Sequence, residues 1–202
     1  MNIAIYGGTF NPVHKGHYNC LRSVIDSISL DKVIVVPDRI PPHKSAQDLV
    51  SGKDRLNMCK LAFTDMKQVV VSDWELRQQG KSYSVITLRH FQKKYPNDKL
   101  FFIMGSDMLL SFESWYEYKE ILRLATLVCV SRENAVTDEM LKNHADRLIA
   151  ENGGEIIVVK TEPFEISSTR LRKMLNNSSE CYCYLDKKVV QYITDNKLYG
   201  SE

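Results

Sequence analysis

The sequence predicts an α/β fold, a doubly wound and mostly parallel sheet with helices on both of its faces. Three observations predict it. Short apolar runs of strand length recur at 3–6, 32–37, 68–72, 99–104, 125–130 and 155–159. Longer stretches with helically spaced apolar residues lie between them. With 202 residues and 44% hydrophobic content, the chain is long enough to bury such a sheet within one domain, taken as residues 1–202.

Ile3 to Tyr6 reads as the first strand and stops at Gly7-Gly8, which reads as a turn. Asn11 and Pro12 suit the start of a helix, Asn as a side-chain cap and Pro because its missing N–H would go unpaired there. A glycine turn between a strand and a helix N-terminus is a place where backbone N–H groups and the helix dipole can hold a phosphate. His14 and His17 stand three apart and project from one face of the first turns, and Gly16 between them leaves room for a bulky anion. Alone, a Gly-Gly pair is an ordinary turn and helical histidines are ordinary surface or core residues. Their combination here looks like catalytic equipment.

The first helix runs from roughly Lys15 to Ser29, and Lys32 to Pro37 is a second buried strand. Asp38-Arg39-Ile40-Pro41-Pro42-His43-Lys44 is then a stiff proline loop ending in a His-Lys pair. Lys44 is either a solvated loop lysine or a phosphate ligand held in place by the prolines. Lys53 to Asp65 reads as a helix with apolar Leu56, Leu61 and Phe63 and an early Arg55, and Gln68 to Ser72 as the third strand.

Ser82-Tyr83-Ser84 opens a helix reaching about Tyr95, with Ser82 or Ser84 as N-cap. Lys99 to Met104 is a fourth strand, closed by Gly105-Ser106-Asp107. Asp107 is either a turn acid or an acceptor for the two hydroxyls of a ribose. Trp115-Tyr116, ahead of a helix to Leu124, either packs into the core or stacks on a flat ring.

Ala125 to Val130 is a fifth strand, Asp138 to Glu151 a helix, and Glu155 to Val159 a sixth strand after Gly153-Gly154. Ile166-Ser167-Ser168-Thr169-Arg170-Leu171-Arg172 begins the next helix. Hydroxyls and cations crowd its first turns, against the usual preference for acids, which makes sense if a polyphosphate sits there. Lys187 to Asn196 is a last helix whose Val189, Val190 and Ile193 pack as core.

A net charge of +2 and 26% charged residues give no sign of a nucleic-acid groove or a membrane surface, and no apolar run approaches a membrane span. The first strand begins within two residues, leaving no room for a signal peptide, and a cytoplasmic protein is expected. The five cysteines are odd in number and lack a CxxC pair, so they read as reduced thiols rather than disulfides or a metal site.

The stretch Gly7-Gly8-Thr9-Phe10-Asn11-Pro12 followed by His14-Lys15-Gly16-His17 resembles the signature of the HxGH nucleotidyltransferases. Pro41-Pro42-His43-Lys44, Ser82-Tyr83-Ser84, Phe102-Ile103 through Gly105 to Asp107, Trp115 and Ile166-Ser167-Ser168-Thr169 with Leu171-Arg172 carry the likeness across the whole chain. Together they resemble the bacterial nicotinate-nucleotide adenylyltransferases. Two departures are Ile86, where that family often has Asp, and Glu133-Asn134 after Arg132, where it commonly has Pro-Gly.

The resemblance implies a Rossmann-like fold and transfer of the adenylyl group of ATP to nicotinate mononucleotide in NAD biosynthesis. It implies His14, His17, Lys44 and Arg172 as catalytic. Gly7, Gly8, Thr9, Phe10, Gly105, Asp107, Ile166, Ser167, Ser168 and Thr169 would join His14, His17 and Arg172 around ATP. Lys44, Tyr83, Ser84, Trp115, Tyr116 and Arg132 would bind the acceptor. The helical portion at about 166–199 would complete the ATP site, with Mg²⁺ riding on the phosphates, since no cage of acids is visible. The partners implied are small molecules, and the sequence is compatible with a homo-oligomer.

A phosphate monoester has a second pKa near ~6, so at neutral pH it is already a nucleophile and no general base is required. What the reaction needs is alignment and neutralisation of charge on the phosphates. Rival expectations are a transferase acting on nicotinamide mononucleotide or phosphopantetheine, a non-catalytic nucleotide sensor, and a dehydrogenase. The last would need G-x-G-x-x-G spacing, which residues 7–12 lack.

Overall fold

Strand β1 (Asn2–Gly8) lies in the middle of the sheet, which is why its apolar run is uninterrupted. Ala4 and Tyr6 join one buried cluster and Ile3 and Ile5 the other, so each face of the strand meets its own helical layer. The computed structural model describes residues 1–41, 49–132, 138–162, 164, 166–175 and 183–200, with Arg132 described for its backbone only. Among them six strands form one sheet in the order β3-β2-β1-β4-β5-β6, and every pairing is parallel. The others are β2 (Lys32–Pro37), β3 (Val69–Val71), β4 (Lys99–Gly105), β5 (Thr126–Arg132) and β6 (Ile156–Thr161).

Helices α1 (Lys15–Ser27), α2 (Gly52–Ala62), α7 (Ser168–Leu175) and α8 (Lys187–Asp195) pack on one face through residues such as Leu21, Met58, Leu171 and Ile193. On the other lie α3 (Ser84–Lys94), α4 (Ser106–Leu110), α5 (Tyr118–Leu124) and α6 (Asp138–Asn152), anchored by Leu88, Leu109, Ile121 and Leu148. This is the doubly wound, Rossmann-like arrangement. The strand order reverses between β1 and β4, and in such sheets ligands bind in the crevice beyond the carboxyl ends at that point. No described helix is long and apolar enough to cross a membrane.

Several local expectations are corrected. Gly7 and Gly8 are the last residues of β1, not a turn. The left-handed turn conformation falls instead on Phe10, φ 47°, whose ring fits because Gly8 has no Cβ: one built there would stand 3.0 Å from it. Asn11 and Pro12, joined by a cis peptide, do not start the helix, since His14 is the N-cap of α1. Neither Ser82 nor Ser84 caps α3. Tyr83 occupies that position without a side-chain bond, while Ser82 Oγ accepts the N–H of Arg39 at 2.9 Å. Helix α4 has no counterpart in the sequence pattern, because five residues carry too little periodicity to read.

Candidate active site

The carboxyl end of β1 leads through Thr9–Val13 to the N-terminus of α1, beside the ends of β2 and β4. The backbone N–H of His14 donates to Nδ1 of His17 at 3.2 Å, and the two rings stand 3.8 Å apart between centroids. That bond uses the lone pair on Nδ1. The imidazole of His17 therefore carries its proton on Nε2, the edge directed away from the helix backbone. Phe10 packs edge-on against His17 at 5.1 Å and fixes its plane. His14 is only 5% exposed.

Gly16 does not leave an open gap for an anion. A Cβ there would meet the His14 ring and Phe164, each at 2.9 Å, so the glycine admits an aromatic ring that stacks over His14.

Asn11, 2% exposed, ties three distant parts of the chain together. Its side-chain oxygen accepts from the Tyr199 hydroxyl at 2.7 Å and the Val50 N–H at 3.3 Å, and its carbonyl accepts from Arg172 Nη1 at 2.8 Å. The N-terminus of α7 is thereby drawn to the turn after β1. Ser167 caps α7 by accepting the N–H of Arg170 at 3.1 Å, Ser168 Oγ donates to the Pro12 carbonyl at 3.3 Å, and Thr169 Oγ1 accepts from Arg172 Nη2 at 3.3 Å. These hydroxyls assemble the helix terminus, which among the described residues leaves the backbone N–H groups of Ser167, Ser168 and Thr169 for a ligand. Val50, Thr169, Arg172, Lys173 and Tyr199 line a cavity of about 470 Å³ beside it. Ile166 lies in the core and its N–H donates to the Phe164 carbonyl at 2.9 Å, so only its carbonyl can serve a ligand. Burial raises the Tyr199 phenol, against the partly opposing influence of Arg172 and Arg55.

At the end of β4, Gly105 leaves space for the Asp107 carboxylate, which would stand 2.7 Å from a Cβ there. Burial, with Asp107 second, pushes the Cys129 thiol up to about 12, which places Asp107 beside β5. Beyond it, the Tyr83 and Tyr116 rings meet at 5.0 Å and bring the first residue of α3, Ser84, next to the 115–116 turn. Among the described residues, no hydrogen bond uses the N–H of Ser84 or of Tyr116. Trp115 packs on Phe102 and Phe112, while Tyr116 is 56% exposed. Lys44 lies outside the described residues, as does the side chain of Arg132, whose backbone ends β5.

The residues whose importance sequence reasoning missed are Asn11 as a hub, Phe164, Tyr199 and the buried pair Arg55 and Glu75. An arginine close to Met58 and Cys59 on an otherwise core-facing helix was the available signal for Arg55. Glu75, 5% exposed, accepts from Thr87 Oγ1. Burial pushes its carboxyl up, with Ser82, Thr87 and Arg55 pulling the other way. A carboxyl raised by folding contributes stability that is present below the ordinary carboxylate range and lost as pH rises through the raised value. Glu75→Gln is expected to remove that decline, so its Tm relative to the parent should rise between pH 4 and pH 8. Thermal melts at those two values check it, and parallel profiles would contradict it.

Comparison with known proteins supplies the family. The cytidylyltransferase-like family profile matches residues 5–174. A probable nicotinate-nucleotide adenylyltransferase of Geobacter metallireducens is 35% identical, the match covering 98% of each chain, and one from Clostridium botulinum is 33% identical over 98% of this chain and 99% of its own. The chain belongs to the nicotinate-nucleotide adenylyltransferases. Among solved structures, Plasmodium falciparum nicotinic acid mononucleotide adenylyltransferase superposes with a TM-score of 0.79 in its complex with APC and 0.80 with NaAD. At 20% identity, covering 100% of this chain and 98% of that one, the likeness shows a shared fold.

Proposed function

We infer that this enzyme transfers the adenylyl group of ATP to nicotinate mononucleotide, forming deamido-NAD and pyrophosphate in NAD biosynthesis. The observation that carries the reading is the His17 imidazole, oriented by the His14 N–H at 3.2 Å beside the point where the strand order reverses. An oxygen of the acceptor phosphate attacks the α-phosphorus of ATP. The bond to the bridging β-oxygen breaks and its electron pair leaves with pyrophosphate. The nucleophile is already ionised, so no proton has to be removed.

His17 Nε2–H donates to the α-phosphate as charge builds there, and His14 lies beside it on the phosphate chain. The backbone of Gly7, Gly8, Thr9 and Phe10 cradles the nucleotide, with Gly105 and Asp107 near its ribose. Arg172 and the N–H groups of Ser167, Ser168 and Thr169 take the β- and γ-phosphates. The 166–199 portion thus completes the ATP site within a single domain. Lys44 bridges the two substrates, and Tyr83, Ser84, Trp115, Tyr116 and Arg132 surround the acceptor.

Among the described residues no group of three or more His, Cys, Asp or Glu side chains could hold a metal. Mg²⁺ would arrive on the triphosphate, bound by phosphate oxygens and water, and would lower the charge of the leaving pyrophosphate. Arg172→Ala and Lys44→Ala are each expected to weaken ATP use by about 1.5–3 kcal/mol, most strongly at low magnesium. Steady-state kinetics across a magnesium series checks this, and parental behaviour would remove either residue from the site. The function itself is tested by pyrophosphate release from ATP with nicotinate mononucleotide, nicotinamide mononucleotide and phosphopantetheine. Release is expected chiefly with the first, and a preference for phosphopantetheine would refute the reading.

A further inference from the structure

Arg55 is 2% exposed, so its guanidinium is sealed from solvent. It is surrounded by carbonyl oxygens. Nη1 donates to Thr9 at 2.9 Å and Asp38 at 2.6 Å, Nε to Val50 at 3.3 Å and Nη2 to Arg39 at 3.4 Å. These oxygens come from three segments: the turn after β1, the segment after β2, and the residue two before α2. Thr9 leads to the histidines, and Arg39 and Val50 stand on either side of the stretch that carries Lys44.

We propose that Arg55 is a positioning residue for adenylyl transfer, holding the nucleotide turn and both flanks of the Lys44 stretch in one rigid frame. The proposal rests on the function inferred above. Four carbonyl dipoles converging on one buried point repel one another unless a cation lies between them. A guanidinium supplies that charge with N–H groups spread over a planar fork, whereas an ammonium has three donors on a compact head and cannot span the same four acceptors. The constraint is reciprocal, because a buried arginine without these acceptors is costly. Two further bonds stiffen the frame: Asp38 N–H donates to Gly8 at 2.9 Å, and Asn11 receives the Val50 N–H at 3.3 Å. Arg55 therefore governs how well the two substrates are aligned rather than how tightly either is held.

Arg55→Lys keeps the charge and loses the fork. It should lower kcat by about 10² while KM for either substrate moves by less than about threefold, since small misplacements act on alignment. Leu148→Ala, a cavity on the opposite face of the sheet, is the control: it should lower Tm with kcat unchanged. A value of kcat for Arg55→Lys within about twofold of the parent overturns the proposal, as does a comparable loss in Leu148→Ala at similar Tm. Hydrogen exchange on the unaltered protein gives an arm that needs neither a folded variant nor turnover. The amides of Arg39 and Val50 should be as protected as those of β1, and exchange as fast as in the exposed 78–81 segment overturns the frame. If the parent instead releases no pyrophosphate while these amides are protected, the functional reading fails and the frame stands.

Discussion

His17→Ala is expected to lower kcat by about 10²–10³ and to leave the KM for ATP nearly unchanged. The reason lies in timing. The α-phosphate gains charge as the new P–O bond forms, and a donor placed there in advance is worth most at that moment. His17 is placed in advance twice over. Its Nδ1 is held by the His14 N–H at 3.2 Å and its plane by Phe10 at 5.1 Å, so Nε2–H needs no reorganisation to donate. His17→Asn retains a donor without this support and should recover part of the loss. A His17→Ala variant with intact kcat and raised KM would reassign the residue to ground-state binding.

Nicotinate mononucleotide is expected to be used in preference to nicotinamide mononucleotide by about 10²–10⁴ in kcat/KM, equivalent to roughly 3–5 kcal/mol. The two acceptors differ by a carboxylate against an amide. Ser84 starts α3 without a side-chain cap, and Tyr116 follows a 3₁₀ turn, so each presents an N–H that no other described residue uses. The Tyr83–Tyr116 contact at 5.0 Å keeps these donors on neighbouring segments, where one carboxylate can accept from both. An amide satisfies one with its oxygen and sets its NH₂ against the other. One charge-assisted bond is then lost and one donor is stranded. Paired kinetics at saturating ATP measure the difference. Equal efficiency would refute the backbone-anion account and direct attention to Ile86, 45% exposed on the same helix turn.

Much of this was legible because it is local. The strands could be read from apolar runs, since a central parallel strand is buried on both faces and shows no alternation, as Ile3, Ala4 and Ile5 demonstrate. The histidine pair could be read because residues three apart on a helix are neighbours, and the hydroxyl-rich start of α7 could be read from Ser167-Ser168-Thr169, though not that Ser167 is the one that caps it.

What could not be read depends on contacts between residues far apart in the chain. Asn11 looks like a cap from its neighbours, but its oxygen is claimed by Tyr199, 188 residues on, and by Val50. Arg55 looks like one more helical cation until the carbonyl of Thr9, 46 residues earlier, is found against it. Gly16 reads from its neighbours as open space, and only the folded chain reveals Phe164 against it. The strain of the first turn falls on Phe10 rather than a glycine, because the enclosed ring and not local propensity sets that backbone angle.

The central claim is that the acceptor phosphate itself attacks the α-phosphorus of ATP. Nicotinate mononucleotide carrying oxygen-18 in its phosphate, incubated with ATP and the enzyme and followed by mass spectrometry, tests it directly. The account predicts a dinucleotide that retains the whole label and pyrophosphate that contains none. Labelled pyrophosphate, or AMP with no dinucleotide, would contradict it.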